Sequence, residues 1–243
     1  MEIQYISYYV LLMAIFISHM NKIIYPNFSC IKYNYSNIIN KNLDKNTISE
    51  DMVYIKNVFS PEIFQNMNNI TDTLLTHDQG DSRNFFRKNM TIPAKELRKT
   101  KINDIYNNDQ FIKLINESIN RKITPVDCHD KSSMNLLIYN KPGDYIYWHN
   151  DPNHYFGKRF TVLIMLRNTS DVQLVYKMNQ EEYNLQMEEN SILIFDGSKI
   201  LHKTTELKEN NVRNLLSFTY CDSCNTNNYL LFISTVKEML LGY

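Results

Sequence analysis

The sequence predicts a mainly β domain of the α+β class, a double-sheet barrel of jelly-roll type supported by N-terminal helices and preceded by a hydrophobic N-terminal segment. Three observations carry this. After Pro125, short apolar or alternating runs of strand length follow one another with turn residues between them. Before it, apolar residues recur at helical spacing, and residues 3–20 carry no charged side chain. With 243 residues, 43% hydrophobic and 12% aromatic, the chain has a core for one domain plus a short appendage, which excludes wholesale disorder. Lys+Arg and Asp+Glu both total 26, a formal net charge of +0, so no global field draws the chain onto nucleic acid and no nucleic-acid partner is expected.

Residues 1–22 read as a membrane anchor or signal-like segment, with Tyr8 to Ile17 almost wholly apolar. Glu2 is the only charged side chain before it, and neither a positive n-region nor a small-residue cleavage site is evident, which favours an uncleaved single anchor. A membrane-associated protein is thus expected. Lys22 and Lys32 lean weakly towards a cytosolic domain, with the ER-lumenal side left open.

Residues 23–50 read as a polar linker, and the folded domain is expected over 51–243. Asp51 to Phe59 is rich in β-branched and aromatic residues and predicts a strand. Ser60-Pro61 then supplies an N-cap and a first helical residue. Ile63, Phe64, Met67, Ile70 and Leu74 share one face of the helix that follows, and a second helix is expected over Asp109 to Lys122. The barrel is expected over about 132–222, with strands at Met134–Tyr139, Tyr145–Trp148, Phe160–Leu166, Val172–Tyr176, Tyr183–Met187, Ser191–Phe195, Ile200–Lys203 and Leu215–Tyr220. Tyr229 to Leu241 is helical in pattern and is expected outside the barrel.

The residues most informative about chemistry are His149-Asn150-Asp151 and the later His202. In an extended segment i and i+2 share a face, so His149 and Asp151 project together, and a later barrel strand can bring His202 to them. Two imidazoles and one carboxylate form the facial triad of non-haem Fe(II), whereas zinc catalysis would need only an open water position. Arg213, at the start of the last alternating strand, is placed to grip a carboxylate inside the barrel, and Tyr139 lies on a strand facing the same cavity. Cys221-Asp-Ser-Cys224 lacks the second ligand pair of a structural zinc site and reads as two thiols, reduced or bridged, at a strand end.

With those residues in view, the segments Leu136–Asp151 and Ser191–Tyr220, including Ile192-Leu-Ile-Phe-Asp-Gly and Leu201-His202, resemble the Fe(II)- and 2-oxoglutarate-dependent dioxygenases, in particular the prolyl 4-hydroxylase-like branch. The resemblance implies a double-stranded β-helix. It implies His149, Asp151 and His202 as iron ligands, Arg213 and Tyr139 on the far carboxylate of 2-oxoglutarate, and Tyr145 near the substrate mouth. It also implies O2 as co-substrate, ascorbate as reductant, and a peptide or protein substrate hydroxylated at a side chain, foremost proline, with release of succinate and CO2. Thr169-Ser170-Asp171-Val172 stands where the family often has a Gly-Gly pair; His154 is a spare imidazole, and Lys177 an alternative carboxylate partner to Arg213. Three other readings remain, one of them hydroxylation of a small molecule. Arg213-Asn-Leu-Leu-Ser217-Phe-Thr resembles the last strand of the nucleic-acid demethylases, without the second Arg expected near Tyr220, and a non-catalytic, membrane-tethered barrel would serve as a binding module.

Overall fold

The structure is a computed structural model, and it describes residues 37–75, 86–127, 130–227, 229–230 and 233. The anchor expected over 1–22 lies outside the described residues, as does almost all of the helix expected over Tyr229 to Leu241. No described helix is long and apolar enough to cross a membrane.

Thirteen strands are described: β1 (Asp44–Ser49), β2 (Met52–Lys56), β3 (Arg87–Lys88), β4 (Met90–Pro93), β5 (Thr124–Pro125), β6 (Met134–Tyr139), β7 (Tyr145–His149), β8 (Arg159–Asn168), β9 (Leu174–Met178), β10 (Glu181–Leu185), β11 (Ser191–Phe195), β12 (His202–Thr204) and β13 (Arg213–Cys221). The helices are α1 (Pro61–Leu75), α2 (Ala94–Leu97), α3 (Ile102–Tyr106) and α4 (Asp109–Ile119). One sheet runs β1-β2-β11-β8-β13-β6-β4, with β5 beside β13, and the other runs β10-β9-β12-β7-β3. From β6 to β13 the chain passes back and forth between the two sheets, except for the β9–β10 hairpin. That alternation is the double-stranded β-helix the sequence predicts.

Two corrections follow from packing. The linker expected over 23–50 is in part folded: Asp44–Ser49 pairs antiparallel with β2, and Ile38 is fully buried. An edge strand exposed on both faces has no apolar alternation to reveal it. The helix expected to reach Lys122 stops at Ile119, because Asn120 caps it in the left-handed region at φ 48°.

Alternation within single strands builds two cores. Ile192 and Ile194 of β11 face the helices with Val162 and Ile164 of β8, whereas Leu193 and Phe195 face the barrel interior with Leu163 and Met165. Both faces of the larger sheet are therefore covered, which is why its strands read as nearly continuous apolar runs. Helix α4 starts at Asn108, whose side chain accepts from the Gln110 and Phe111 amides. It lays Phe111 between Phe59 at 5.3 Å and Phe218 at 6.4 Å. Phe111→Ala should cost about 3–5 kcal/mol of stability through lost burial and the cavity left behind, measured as a shifted urea midpoint at unchanged slope. A cost below about 1 kcal/mol would show that the helices do not brace the sheet.

Candidate metal centre

His149 ends β7 and His202 begins β12, and the two stand directly opposite each other in the register. The register slips between His202 and Thr204, where β7 carries one extra residue, and this slip lets both Ile146 and His149 turn inward. The imidazole rings lie 4.2 Å apart, centre to centre. Asp151 follows two residues after His149, and its amide donates to the Gly197 carbonyl at 2.8 Å, which ties it to the turn after β11. One ligand-type atom from each of His149, Asp151 and His202 falls within 4.8 Å of the others, so the three sequence-predicted residues come together and could hold a metal ion.

Their hydrogen bonds present the right atoms. Nδ1 of His149 lies 2.8 Å from the Tyr147 carbonyl, and Nδ1 of His202 lies 2.8 Å from the Ile200 carbonyl. A carbonyl only accepts, so each Nδ1 carries a proton, and in the neutral tautomer this leaves the Nε2 lone pair free. Burial, reinforced by His149, pushes His202 down to about 4, so at neutral pH it is the free base a metal requires. Burial alone would raise Asp151, but the charge of Arg159, the two imidazoles and the Thr161 hydroxyl together hold it well below the usual carboxylate range. Asp151 is therefore a carboxylate at neutral pH.

Asp151 divides its two oxygens between tasks. Oδ1 faces Nε2 of His149 at 3.7 Å, whereas Oδ2 takes the Thr161 hydroxyl and an ion pair with Arg159 Nη1 at 3.2 Å. Arg159 is itself fixed by its Nη2, which donates to Thr161's barrel-face neighbour on β13, Thr219, at 3.0 Å. Gly197 completes the cradle, because a Cβ there would collide with Asp151 Oδ2 and lie 2.7 Å from Thr161 Oγ1. Sequence reasoning missed Arg159, Thr161 and Gly197 as site residues. The available signal was spacing: Arg159 and Thr161 are i and i+2 at the start of β8, on the barrel face that Leu163 and Met165 continue.

Further along the barrel interior, Arg213 and Tyr139 are register partners on β13 and β6. Arg213 is 1% exposed; its guanidinium lies 5.0 Å from the Tyr139 ring centre, and its Nε and Nη1 have no hydrogen-bond partner among the described residues. The Tyr139 hydroxyl reaches Thr204 at 3.4 Å, and burial raises its pKa. A buried guanidinium without a carboxylate is costly, and a bound anion would offset that cost. The two spare residues are engaged elsewhere. His154 Nε2 lies 2.8 Å from Asp130, and Lys177 sits over the Trp148 ring at 4.9 Å and pairs with Glu182 at 3.2 Å. Tyr145 lies at the start of β7 with the Lys88 ammonium 5.7 Å from its ring centre.

No family model and no curated protein matches the sequence. Solved structures do match in shape. The prolyl-4-hydroxylase of Pseudomonas putida superposes with a TM-score of 0.50 at 12% identity, over 71% of this chain and 92% of that one. HygX from Streptomyces hygroscopicus, solved with nickel and 2-oxoglutarate bound, gives 0.56 at 13% identity, over 73% and 85%. The non-haem α-ketoglutarate-dependent epimerase SnoN from nogalamycin biosynthesis gives 0.59 at 9% identity, over 71% and 77%. At such identities the likeness is one of fold: the chain has the double-stranded β-helix seen in these oxygenases.

Proposed function

We propose that this chain is an Fe(II)- and 2-oxoglutarate-dependent dioxygenase that hydroxylates a protein side chain, foremost peptidyl proline. The observation that carries the reading is the fully buried Arg213, with unpartnered guanidinium nitrogens, in the same barrel interior as an inward-facing His-Asp-His set. The donor set fits the metal: two imidazole nitrogens and one carboxylate oxygen suit ferrous iron and would leave coordination positions for other ligands. The anion site fits the co-substrate, since a dicarboxylate could engage the metal at one end and Arg213 at the other.

On this reading His149 and His202 would hold the metal through Nε2, and Asp151 would hold it through Oδ1. Arg159 and Thr161 occupy Asp151 Oδ2, which would leave Oδ1 as the carboxylate's one ligating oxygen and keep the other positions open. Arg213 receives the far carboxylate of 2-oxoglutarate, with the Tyr139 ring beneath the guanidinium and its hydroxyl at hand. Iron and 2-oxoglutarate together supply the oxidising power to place an oxygen atom from O2 on an unactivated C–H bond. The apolar wall of Leu163, Met165, Phe195 and Leu215 excludes water from that chemistry.

Two facts support the finer claim of a peptide substrate: the Tyr139-to-Asp151 hairpin resembles the prolyl 4-hydroxylase-like branch, and a prolyl-4-hydroxylase is among the structures of similar shape. The test combines the protein with Fe(II), 2-oxoglutarate and ascorbate under air and reads succinate. Turnover without added substrate is expected, and proline-containing peptides should raise it and gain one oxygen by mass. Iron-loaded protein that forms no succinate would refute the oxygenase; succinate without oxygen gain on any peptide would refute the substrate class alone.

A further inference from the structure

The proposed chemistry makes no use of the Cys221-Asp-Ser-Cys224 motif. The structure joins the two cysteines in a disulfide, with Cα atoms 5.3 Å apart. Cys221 ends β13, fully buried against Val126 and Tyr155, and stands in register with Arg159 on β8. The turn that the bridge closes serves as a clasp. Gly157 donates its amide to the Ser223 carbonyl at 3.1 Å, Lys158 to Asp222 Oδ1 at 2.8 Å, and Phe156 to the Asn225 carbonyl at 3.0 Å. Asp222 is steadied in turn by Arg121 at 2.9 Å. Gly157 approaches so closely that a Cβ would collide with Asp222 and Ser223.

This clasp grips one particular segment. Residues 152–158 begin directly after Asp151 and end directly before Arg159, the residue paired with the outer oxygen of Asp151. The segment is thus the direct chain link between the two ends of that ion pair and one of the restraints on each. The geometry also accommodates the opened bridge: the Cys224 sulfur is partly exposed, and it lies 3.5 Å from the Cys221 carbonyl and 3.7 Å from the Thr124 carbonyl. A thiol at Cys224 therefore has acceptors in place.

We propose that the Cys221–Cys224 bridge is a reversible redox-modification site, and that its reduction loosens the 152–158 segment and weakens metal binding at the triad. The second half rests on the function proposed above. The reductant is a protein dithiol. Its thiolate attacks the exposed Cys224 sulfur, the S–S bond breaks with Cys221 as leaving group, and a second dithiol sulfur resolves the mixed disulfide. Two electrons and two protons pass to the cysteines, and the dithiol becomes a disulfide.

The experiment compares full-length protein kept oxidised with protein reduced by a phosphine and desalted without air, because a phosphine leaves no chelating thiol behind. Thiol labelling should show Cys221 and Cys224 both free after reduction. Hydrogen exchange should then show lost protection at the Phe156, Gly157 and Lys158 amides, and Co(II) titration should show affinity weaker by about tenfold, restored on reoxidation. Cys224→Ser should match the reduced protein and ignore the redox state. Gly157→Ala, with its cysteines intact, should reproduce the weak Co(II) binding of the reduced form while still oxidised. Equal exchange and equal Co(II) affinity in the two states would overturn the proposal, as would a bridge that resists reduction in the folded protein. If oxidised wild-type protein binds no Co(II), the metal-affinity claim falls with the function it rests on, and the exchange data alone decide the modification site.

Discussion

Alanine at His202 should leave a folded protein that retains neither Fe(II) nor Co(II) and releases no succinate. The imidazole is 5% exposed and neutral at ordinary pH, and its Nδ1 is committed to the Ile200 carbonyl, so its Nε2 has no other role among the described residues. Removing it leaves one imidazole and one carboxylate, too few to fix ferrous iron with a defined open face. The loss should exceed the roughly 10–100-fold that follows when only an outer-shell partner of a ligand is changed. His202 also meets Phe195 edge-on at 4.9 Å, so its truncation costs some packing as well. His149→Ala separates the two effects, because that side chain is 31% exposed and its removal leaves little cavity. Both variants should lose Co(II) binding by titration, while only His202→Ala should lower the melting temperature appreciably. A His149→Ala protein that still binds Co(II) as wild type does would remove the triad from the proposal.

How much of this was legible in the sequence depended on what each residue had to reveal. Ser191–Phe195 was readable to its ends because Glu189-Asn190 and Asp196-Gly197 bracket a segment that is apolar from Ile192 to Phe195. β1 was not: Asp44 to Ser49 is polar throughout, and only pairing with β2 makes it a strand. Helices α2 and α3, of four and five residues, are too short for periodicity to accumulate. In the site, His149 and Asp151 announced themselves by spacing and residue type, whereas Arg159 at the head of an apolar strand looks like an ordinary strand-end charge. Its role depends on the depth of the barrel at that point, and depth is a property of tertiary packing. Lys177 shows the converse. It is as basic as Arg213, yet it directly follows Tyr176, whose ring fills the interior, so strand alternation turns the ammonium out onto Trp148.

Arg213 makes the sharper test, because its removal should have opposite effects on binding and on stability. A buried guanidinium loses its hydration, and with Nε and Nη1 unpartnered the folded protein bears much of that cost until an anion arrives. Arg213→Met, which keeps most of the volume and removes the charge, should therefore melt no lower than wild type when 2-oxoglutarate is absent. The same substitution removes the partner of the co-substrate's far carboxylate. Losing one side of a buried, hydrogen-bonded charge pair costs about 2–5 kcal/mol, which is roughly 30- to 4000-fold in affinity. The 2-oxoglutarate concentration for half-maximal succinate release should rise accordingly, and the Fe(II) requirement should hardly move. Ligand linkage gives a readout without turnover: with Co(II) already saturating, 2-oxoglutarate should raise the melting temperature of wild type further and leave that of Co(II)-loaded Arg213→Met unchanged. Equal losses of metal and 2-oxoglutarate affinity would make Arg213 a structural residue. A variant that melts far below wild type yet is still stabilised by 2-oxoglutarate would mean that the guanidinium supports the barrel and the dicarboxylate binds elsewhere.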